Sequence, residues 1–239
     1  MTQTSIRDNF LLVQERIATA ALRAGRRPGE ITLIGVSKTH PAETIRAAYA
    51  AGLRHFGENR VQEWEGKCDA AKDLTAAVFH LIGHLQSNKA ARAAKLFHCV
   101  DSVDDFPLAQ RLERARAEMN DSRKLRVLIE VHIGEEVSKS GVDVTELAGL
   151  AERVAGLAGL ELAGLMGIPP FAENIEETRP YFRRLRELRD DLAGRLRRDL
   201  PVLSMGMSHD FEVAIEEGAT EVRVGTAIFG AREGPVRRQ

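Results

Sequence analysis

Short apolar runs alternate with segments of helical periodicity along this sequence, and the alternation recurs eight times. Most of the runs are rich in Val, Ile and Leu, and none is joined to the next by the pattern of a β-hairpin. The eight predicted strands are Ile31 to Val36, Leu53 to Phe56, Val78 to Ile82, Phe97 to Val100, Leu125 to Ile133, Leu160 to Met166, Val202 to Ser204 and Glu221 to Val224. This order predicts an α/β protein built from parallel βα units.

Helical spacing of apolar residues marks one segment before the first strand and one after most of the others. The predicted helices are Ser5 to Ala24, Pro41 to Ala51, Asn59 to Lys72, Asn88 to Lys95, Asp104 to Met119, Val144 to Leu157, Glu173 to Arg198 and Phe211 to Glu217. Eight units in 239 residues fit a (β/α)8 TIM barrel, whose usual length is about 250 residues. An open, doubly wound sheet is the alternative. We expect one domain over residues 1–239, with residues 1–28 forming an extra helix packed on the barrel.

Composition excludes several classes of function. Lysine and arginine number 34 against 35 acidic residues, so the net charge of −1 offers no electrostatic footprint for nucleic acid or an anionic membrane. Apolar stretches are too short to span a bilayer, and the N-terminus does not read as a secretory signal. The two cysteines, Cys68 and Cys99, are too few for a disulfide framework. We therefore expect a cytoplasmic protein.

Chemistry in a barrel of this kind sits at the C-terminal ends of the strands. Lys38 follows the first strand, on the same alternating face as Ile34. A lysine here is most often a solvated surface residue. If Lys38 instead points into the barrel, desolvation lowers the pKa of its ammonium group and yields the neutral amine that forms an imine with an aldehyde.

Two glycine-containing loops follow the last two strands. Backbone amides near Gly206 and Gly225, with the hydroxyls of Ser208 and Thr226, are the donors that a phosphate group needs. Barrels favour phosphate sites at this position, although either loop alone could be an ordinary turn. Arg223 lies on the same face of its strand as Gly225, and it could serve a pyridine nitrogen or pair with a carboxylate such as Glu130.

Other motifs carry less weight. His80 and His84 are four residues apart but lack the glutamate of an H-E-x-x-H zinc motif, so we predict no metal site. We assign them to packing or to the rim. Cys99 beside His98 does not make a thiol–imidazole pair, because adjacent residues of a strand point to opposite faces.

The ordered motifs GENRVQEW, HLIGHLQSNK, SKSGV, GLMGI, SMGMS and VRVGTAIFG, after Lys38, give the chain a recognisable pattern. It resembles the pyridoxal phosphate homeostasis protein family, which is similar to the N-terminal barrel of alanine racemase. The resemblance runs from about Ile31 to Gly230, nearly the whole chain.

The resemblance implies a fold-type III barrel that holds pyridoxal 5'-phosphate (PLP) as a Schiff base on Lys38. The residues that it implies for the rest of the cofactor site are Asn59 and Met166 near the ring, Met207, Ser208, Gly225 and Thr226 at the phosphate, and Arg223 at the pyridine nitrogen. Three rim positions depart from the family pattern, namely Arg60, His84 and His132. None of them affects Lys38 or the phosphate loops.

The implied function is a carrier that takes part in PLP (vitamin B6) homeostasis and passes the cofactor to apo-enzymes. An arginine at the ring nitrogen keeps that nitrogen unprotonated and weakens the electron sink. Racemases of this fold type use a second acid or base from an additional β domain, which we expect this chain to lack. The alternatives are a PLP-dependent amino-acid racemase and, further off, a sugar-phosphate aldolase or isomerase. We expect a monomer or a weak homo-oligomer.

Overall fold

Eight parallel strands close into a barrel in chain order, with β8 hydrogen-bonded to β1. The computed structural model describes residues 5–119, 123–134 and 140–230. The strands are β1 Thr32–Val36, β2 His55–Glu58, β3 Val78–Leu81, β4 Cys99–Val103, β5 Leu125–Val131, β6 Leu160–Gly167, β7 Val202–Met207 and β8 Glu221–Val224. The predicted (β/α)8 barrel is thereby confirmed, and the open sheet is excluded.

Helices cover the outside of the barrel. They are α1 Ile6–Arg23, α2 Ala42–Ala51, α3 Val61–Glu65, α4 Ala90–Leu96, α5 Phe106–Ala117, α6 Val144–Ala155, α7 Arg179–Leu196, α8 Phe211–Glu216 and α9 Thr226–Phe229. Short 3-10 turns occur at Pro28–Glu30, Cys68–Ala71, Ser87–Lys89 and Ile175–Thr178. Within the described ranges, no helix is both long enough and apolar enough to cross a membrane.

Three predicted strands differ most from the observed bounds. The second runs His55–Glu58 instead of Leu53 to Phe56, because its pairing with β3 begins at His55 and continues through Gly57 and Glu58. The fourth includes Asp101 and Ser102, which are buried rather than ending the strand. The seventh extends to Met207, past a register shift that follows Ser204.

Two predicted helices differ most from the observed extents. The predicted helix from Asn59 to Lys72 is divided, because α3 ends at Glu65 with Gly66 as its C-cap. The predicted helix from Glu173 to Arg198 begins instead at Arg179 after a 3-10 turn. Pro180 lies in its first turn, where its missing N–H and fixed φ are tolerated, whereas an earlier start would place it inside the helix.

The N-terminal helix packs on the closing seam of the barrel. A capping box between Ser5 and Asp8 satisfies its first amides, and its buried face includes Phe10, Val13 and Ile17. It contacts α2, α8 and α9, and the Asn9 side chain donates a hydrogen bond of 3.0 Å to the carbonyl of Ile228. α1 therefore packs against the three helices that follow β1, β7 and β8.

An aromatic cluster fixes α3 against the barrel. The rings of Trp64 and Phe79 stack with centroids 3.9 Å apart, and the Trp64 indole donates a hydrogen bond of 3.0 Å to the carbonyl of Leu96. Trp64 is 3% exposed. Removing such a side chain costs about 3 to 5 kcal/mol, so this short helix is held firmly despite its five residues.

The barrel interior is unusually polar for this fold, whose interior is normally filled by branched apolar side chains. His80 is fully buried, with Nδ1 2.9 Å from Asp101 Oδ2 and Nε2 3.0 Å from His55 Nδ1. Arg126 pairs with Glu221 nearby. Burial alone lowers the pKa of His80, but Asp101 outweighs it and raises that pKa well above its ordinary value. A charged network therefore occupies part of the barrel interior.

Candidate functional site

Lys38 lies in a tight turn directly after β1. The turn spans residues 37–40 and is closed by a hydrogen bond of 3.1 Å from the His40 amide to the Ser37 carbonyl. Thr39, at its third position, has a φ of 66°, the left-handed conformation that a type II turn requires there. The Lys38 side chain is half-buried. β1 thus ends with its lysine held at the mouth of the barrel.

The loop after β7 is shaped by a glycine. Gly206 has a φ of 90°, and a side-chain carbon there would lie 2.6 Å from Ala214 Cβ and 2.9 Å from Phe211 Cα. Only glycine fits this approach to α8. The Met207 amide donates a hydrogen bond of 2.7 Å to buried Asp210, whose pKa burial raises and this bond lowers. Ser208 follows, half-buried at the mouth.

The loop after β8 contacts the one after β7. The Gly225 amide donates a hydrogen bond of 3.2 Å to the hydroxyl oxygen of Ser208. Thr226 begins α9 and is exposed. The amides of Ile228 and Phe229 already donate to the Gly225 carbonyl, at 2.9 Å each, so the donors that this helix start can offer are the amides of residues 226 and 227. The two loops therefore offer a hydroxyl and backbone amides side by side.

These two loops lie next to the Lys38 turn. β7, β8 and β1 are consecutive around the barrel, and a side-chain carbon at Gly225 would lie 3.5 Å from Val36. The His40 ring packs on Phe229 of α9 with centroids 5.2 Å apart. Three adjacent strands therefore end in an amine, hydroxyl groups and the first backbone amides of α9, which is a donor set suited to an anionic aldehyde.

Arg223 lies below these loops, inside the barrel. It is 4% exposed and donates hydrogen bonds of 2.9 Å to Ser204 Oγ and 3.1 Å to the Gly167 carbonyl. Glu130, the alternative partner from the sequence, instead accepts a hydrogen bond from Ser140. Burial lowers the pKa of the Arg223 guanidinium, while Asp101 and other carboxylates raise it. Because arginine does not lose its proton in proteins, Arg223 is a permanent buried donor.

Asn59 and Met166 lie in different surroundings. Asn59 follows β2 at the rim, where a side-chain carbon at Gly83 would overlap its backbone. Met166 is fully buried inside the barrel, in an apolar cluster with Leu128, Ala163 and Val202. Met207 is 38% exposed at the mouth. Asn59 and Met207 are thus accessible at the rim, whereas Met166 packs within the interior.

The three departures from the family pattern also lie near the rim. Arg60 is exposed beside a cleft of about 710 Å³ that Asn59 and His84 also line. His84 Nδ1 lies 3.3 Å from Asp104. His132 Nε2 is buried without a hydrogen-bond partner in the part of the chain that the structure describes. Residues 138 and 139 of the SKSGV motif lie outside the described residues.

Sequence reasoning missed several residues of this region. Ser204 binds Arg223, and Asp210 orders the loop after β7. Glu58 is fully buried and accepts a hydrogen bond of 2.7 Å from the Ser37 hydroxyl. Ser204 ended the predicted seventh strand, but sequence spacing did not identify Arg223 as its partner. Glu58 lay within the GEN motif without an assigned partner.

His80, Cys99 and Asp101 form a fully buried group whose ligand atoms lie within 4.8 Å of one another. Both ring nitrogens of His80 already take part in hydrogen bonds, to Asp101 and His55. The group therefore belongs to the charged network of the barrel interior.

The fold and this arrangement at the mouth define a barrel of the alanine racemase N-terminal type. The family model described as "Alanine racemase, N-terminal domain" matches residues 11–233. A pyridoxal phosphate homeostasis protein of Aquifex aeolicus is 48% identical over 221 residues, covering 92% of this chain and 96% of that protein. One of Pseudomonas aeruginosa is 47% identical over 231 residues, covering 96% and 97%. The chain belongs to the pyridoxal phosphate homeostasis protein family.

A solved structure supports the same assignment. PipY of Synechococcus elongatus, in a structure with PLP bound, is 41% identical to this chain and superposes with a TM-score of 0.80. The match covers 91% of this chain and all of PipY. The predicted family resemblance is therefore confirmed.

Proposed function

We propose that this protein binds pyridoxal 5'-phosphate at the mouth of the barrel, through a covalent bond to Lys38. The observation that carries the proposal is the convergence of the ends of β7, β8 and β1. The cofactor supplies an aldehyde, whose carbon condenses with a primary amine and releases water. PLP is the ligand in the PipY structure and in the names of the relatives, which supports this choice.

The proposed phosphate contacts follow from the donors on the two loops. Ser208 can donate its hydroxyl proton to a phosphate oxygen, and the backbone amides at the start of α9 add further donors. Thr226 adds an exposed hydroxyl. Gly225 keeps this site open, because it has no side chain to fill the space beside Val36. Met207 is exposed beside Ser208 and borders the same site.

Arg223 is proposed to act at the ring nitrogen. Two of its donors are used by Ser204 and Gly167, and a guanidinium has five N–H groups, so donors are left for a ring acceptor. A permanent donor at that nitrogen favours its unprotonated form. The chain would then hold the cofactor in a form of low reactivity, with Asn59 and Met166 as the further ring residues that we propose.

The proposed role in the cell follows from binding the cofactor in a form of low chemical reactivity. The protein would hold the reactive aldehyde, limit its free level and release it to apo-enzymes in the cytoplasm, as a monomer or a weak homo-oligomer. The names of the relatives support a homeostatic role. An amino-acid racemase is the alternative.

Absorbance and covalent trapping test the proposal. Purified protein is mixed with PLP, its spectrum is recorded, and borohydride reduction is followed by peptide mass spectrometry. We expect imine absorbance and a label on Lys38, both lost in Lys38→Ala and retained in the rim variant Lys89→Ala. A label scattered over surface lysines would overturn the proposal. Racemisation of L-alanine or L-serine that disappears in Lys38→Ala would instead favour the racemase.

A further inference from the structure

Lys67 lies at the centre of a cluster of acceptors beneath the Lys38 turn. Its ammonium group donates hydrogen bonds of 3.1 Å to the backbone carbonyls of Ser37 and His40. The same nitrogen lies 2.9 Å from Glu58 Oε1 and 3.1 Å from Glu63 Oε1. Only 11% of the Lys67 side chain is exposed. The ammonium group of Lys67 therefore binds acceptors of the protein and is largely shielded from solvent.

The position of Lys67 is fixed by the short helix before it. α3 ends at Glu65 with Gly66 as its C-cap, and the Lys67 amide donates a hydrogen bond of 3.0 Å to the Trp64 carbonyl. Trp64 is itself locked by its stacking on Phe79 and its hydrogen bond to Leu96. The backbone from which the Lys67 side chain extends is thus held in place.

The cluster ties three of the four residues in the turn. Lys67 binds the carbonyls of Ser37 and His40, and Glu58 accepts a hydrogen bond from the Ser37 hydroxyl. The Thr39 amide donates a hydrogen bond to Glu63. Thr39 holds a left-handed φ of 66°, which is costly for a β-branched residue and persists only where surrounding contacts enforce it. The residues on both sides of Lys38 are therefore clamped.

The buried charges of Lys67 and Glu58 compensate each other. Burial raises the pKa of Glu58, and the Lys67 ammonium group acts in the opposite direction. Glu58 Oε2 has no hydrogen-bond partner among the described residues, so Lys67 is the main compensation for this carboxylate. Removing Lys67 would release the turn and leave a buried carboxylate without its cation at the same time.

We propose that Lys67 is a positioning residue for Lys38: it holds the backbone of the turn so that the Lys38 amine meets the aldehyde of the cofactor. The inference rests on the proposed function, since it assigns Lys67 a role toward a covalent bond formed at Lys38. A fixed amine reaches the reacting geometry without first paying the entropy of ordering its loop. Lys67 itself touches only protein groups in this role.

Lys67→Met tests the inference, because it keeps the length of the side chain and removes the ammonium group. We expect covalent bond formation with PLP to slow by about tenfold or more, with an altered imine absorbance spectrum. Lys67→Arg, which retains a cation and several donors, should restore part of the rate. Arg46→Met is the matched control: it breaks an ion pair with Asp73, and among the described residues the hydrogen bonds of Arg46 go to Ala70 and Asp73 and not to the turn.

A second variant guards against misfolding. In Glu58→Gln/Lys67→Met the buried carboxylate is also neutralised, so this protein should fold even where Lys67→Met does not, and it should form the covalent bond just as slowly. If wild-type protein is not labelled on Lys38, the proposed function itself fails. If wild-type protein is labelled and a folded Lys67→Met protein, with or without Glu58→Gln, matches it in rate and spectrum, the inference about Lys67 is wrong while the proposed function stands.

Discussion

Arg223 on β8 donates a hydrogen bond of 2.9 Å to the hydroxyl of Ser204 on β7, and both side chains are buried inside the barrel. The second donor of Arg223 reaches the Gly167 carbonyl at the end of β6. One guanidinium therefore joins three consecutive strands just below the mouth. Its charge also balances the buried carboxylates of Asp101, Glu130 and Glu221.

Arg223→Met should destabilise the protein by about 3 to 5 kcal/mol, because it removes a buried cation and leaves carboxylates uncompensated. Urea unfolding would measure the loss. Arg92→Met is the control, since Arg92 forms an exposed pair with Glu65 and its removal should cost less than about 1 kcal/mol. Equal losses in the two variants would contradict the structural role assigned to Arg223.

Gly206→Ala should destabilise the protein by about 2 to 4 kcal/mol and weaken PLP binding, because a methyl group would strike Phe211 and Ala214 and displace the loop that carries Ser208. Gly149→Ala provides the contrast. Gly149 lies inside α6 with nothing near its added carbon, so that change should stabilise the protein by about 0.5 to 1 kcal/mol. Thermal unfolding and PLP titration of both variants test the pair, and a neutral Gly206→Ala would refute the clash.

Thr39→Asn should stabilise the protein by about 0.5 to 1 kcal/mol, because asparagine adopts the left-handed conformation more readily than a β-branched residue. The Thr39 side chain makes no hydrogen bond within the described ranges, so the substitution removes none. Thr44→Asn in α2 is the control and should be nearly neutral, since the two residues have similar helix propensities. Chemical denaturation measures both, and a loss of stability in Thr39→Asn would mean that the turn is not strained.

His55 should make stability fall in mild acid. Burial, with the charge of His80 adding to it, lowers the pKa of His55 from 6.5 to about 4. Between these two values the unfolded chain binds a proton that the folded protein does not, so this contribution is present above pH 6.5 and is lost as the pH falls to about 4. We expect a loss of about 1 to 2 kcal/mol, reduced from the full shift because the ring is partly exposed.

His55→Gln isolates this effect, because glutamine keeps a hydrogen-bond acceptor for His80 but does not titrate. Unfolding free energies of both proteins should diverge between about pH 7.5 and pH 4, with wild-type protein losing more. Parallel curves would show that His55 does not carry the acid sensitivity. His80 contributes in the opposite sense, since its raised pKa stabilises the folded state below pH 6.5 and that stability is lost at higher pH.

Much of the fold was predictable because its signals are local. Apolar runs with β-branched residues marked β1 and β8, and the helical pattern marked α2 and α6. Prediction failed where a local signal had more than one meaning. Asp101 and Ser102 look like the end of a strand, yet both are fully buried, with partners in β3 and in the residues that follow it.

The candidate site divides in the same way. Lys38 and the glycines at 206 and 225 could be proposed as candidates from the sequence, because a lysine after a strand and a glycine in a tight loop are local signals. Ser204 as the partner of Arg223, and Lys67 as the clamp of the turn, could not be. Their partners lie 19 and 30 residues away along the chain, and sequence spacing at those distances contains no geometric information.

Local residue patterns thus set the alternation of strands and helices, the conformations of the turns and the chemical groups that follow each strand. Closure of the barrel settled which groups meet. Hydrogen bonding of β8 to β1 pairs Ile34 with Arg223 and brings the Lys38 turn beside Gly225 and Ser208. Those contacts join opposite ends of the chain, and they exist because twist and strand pairing close eight units into a ring, which is a property of all the strands together.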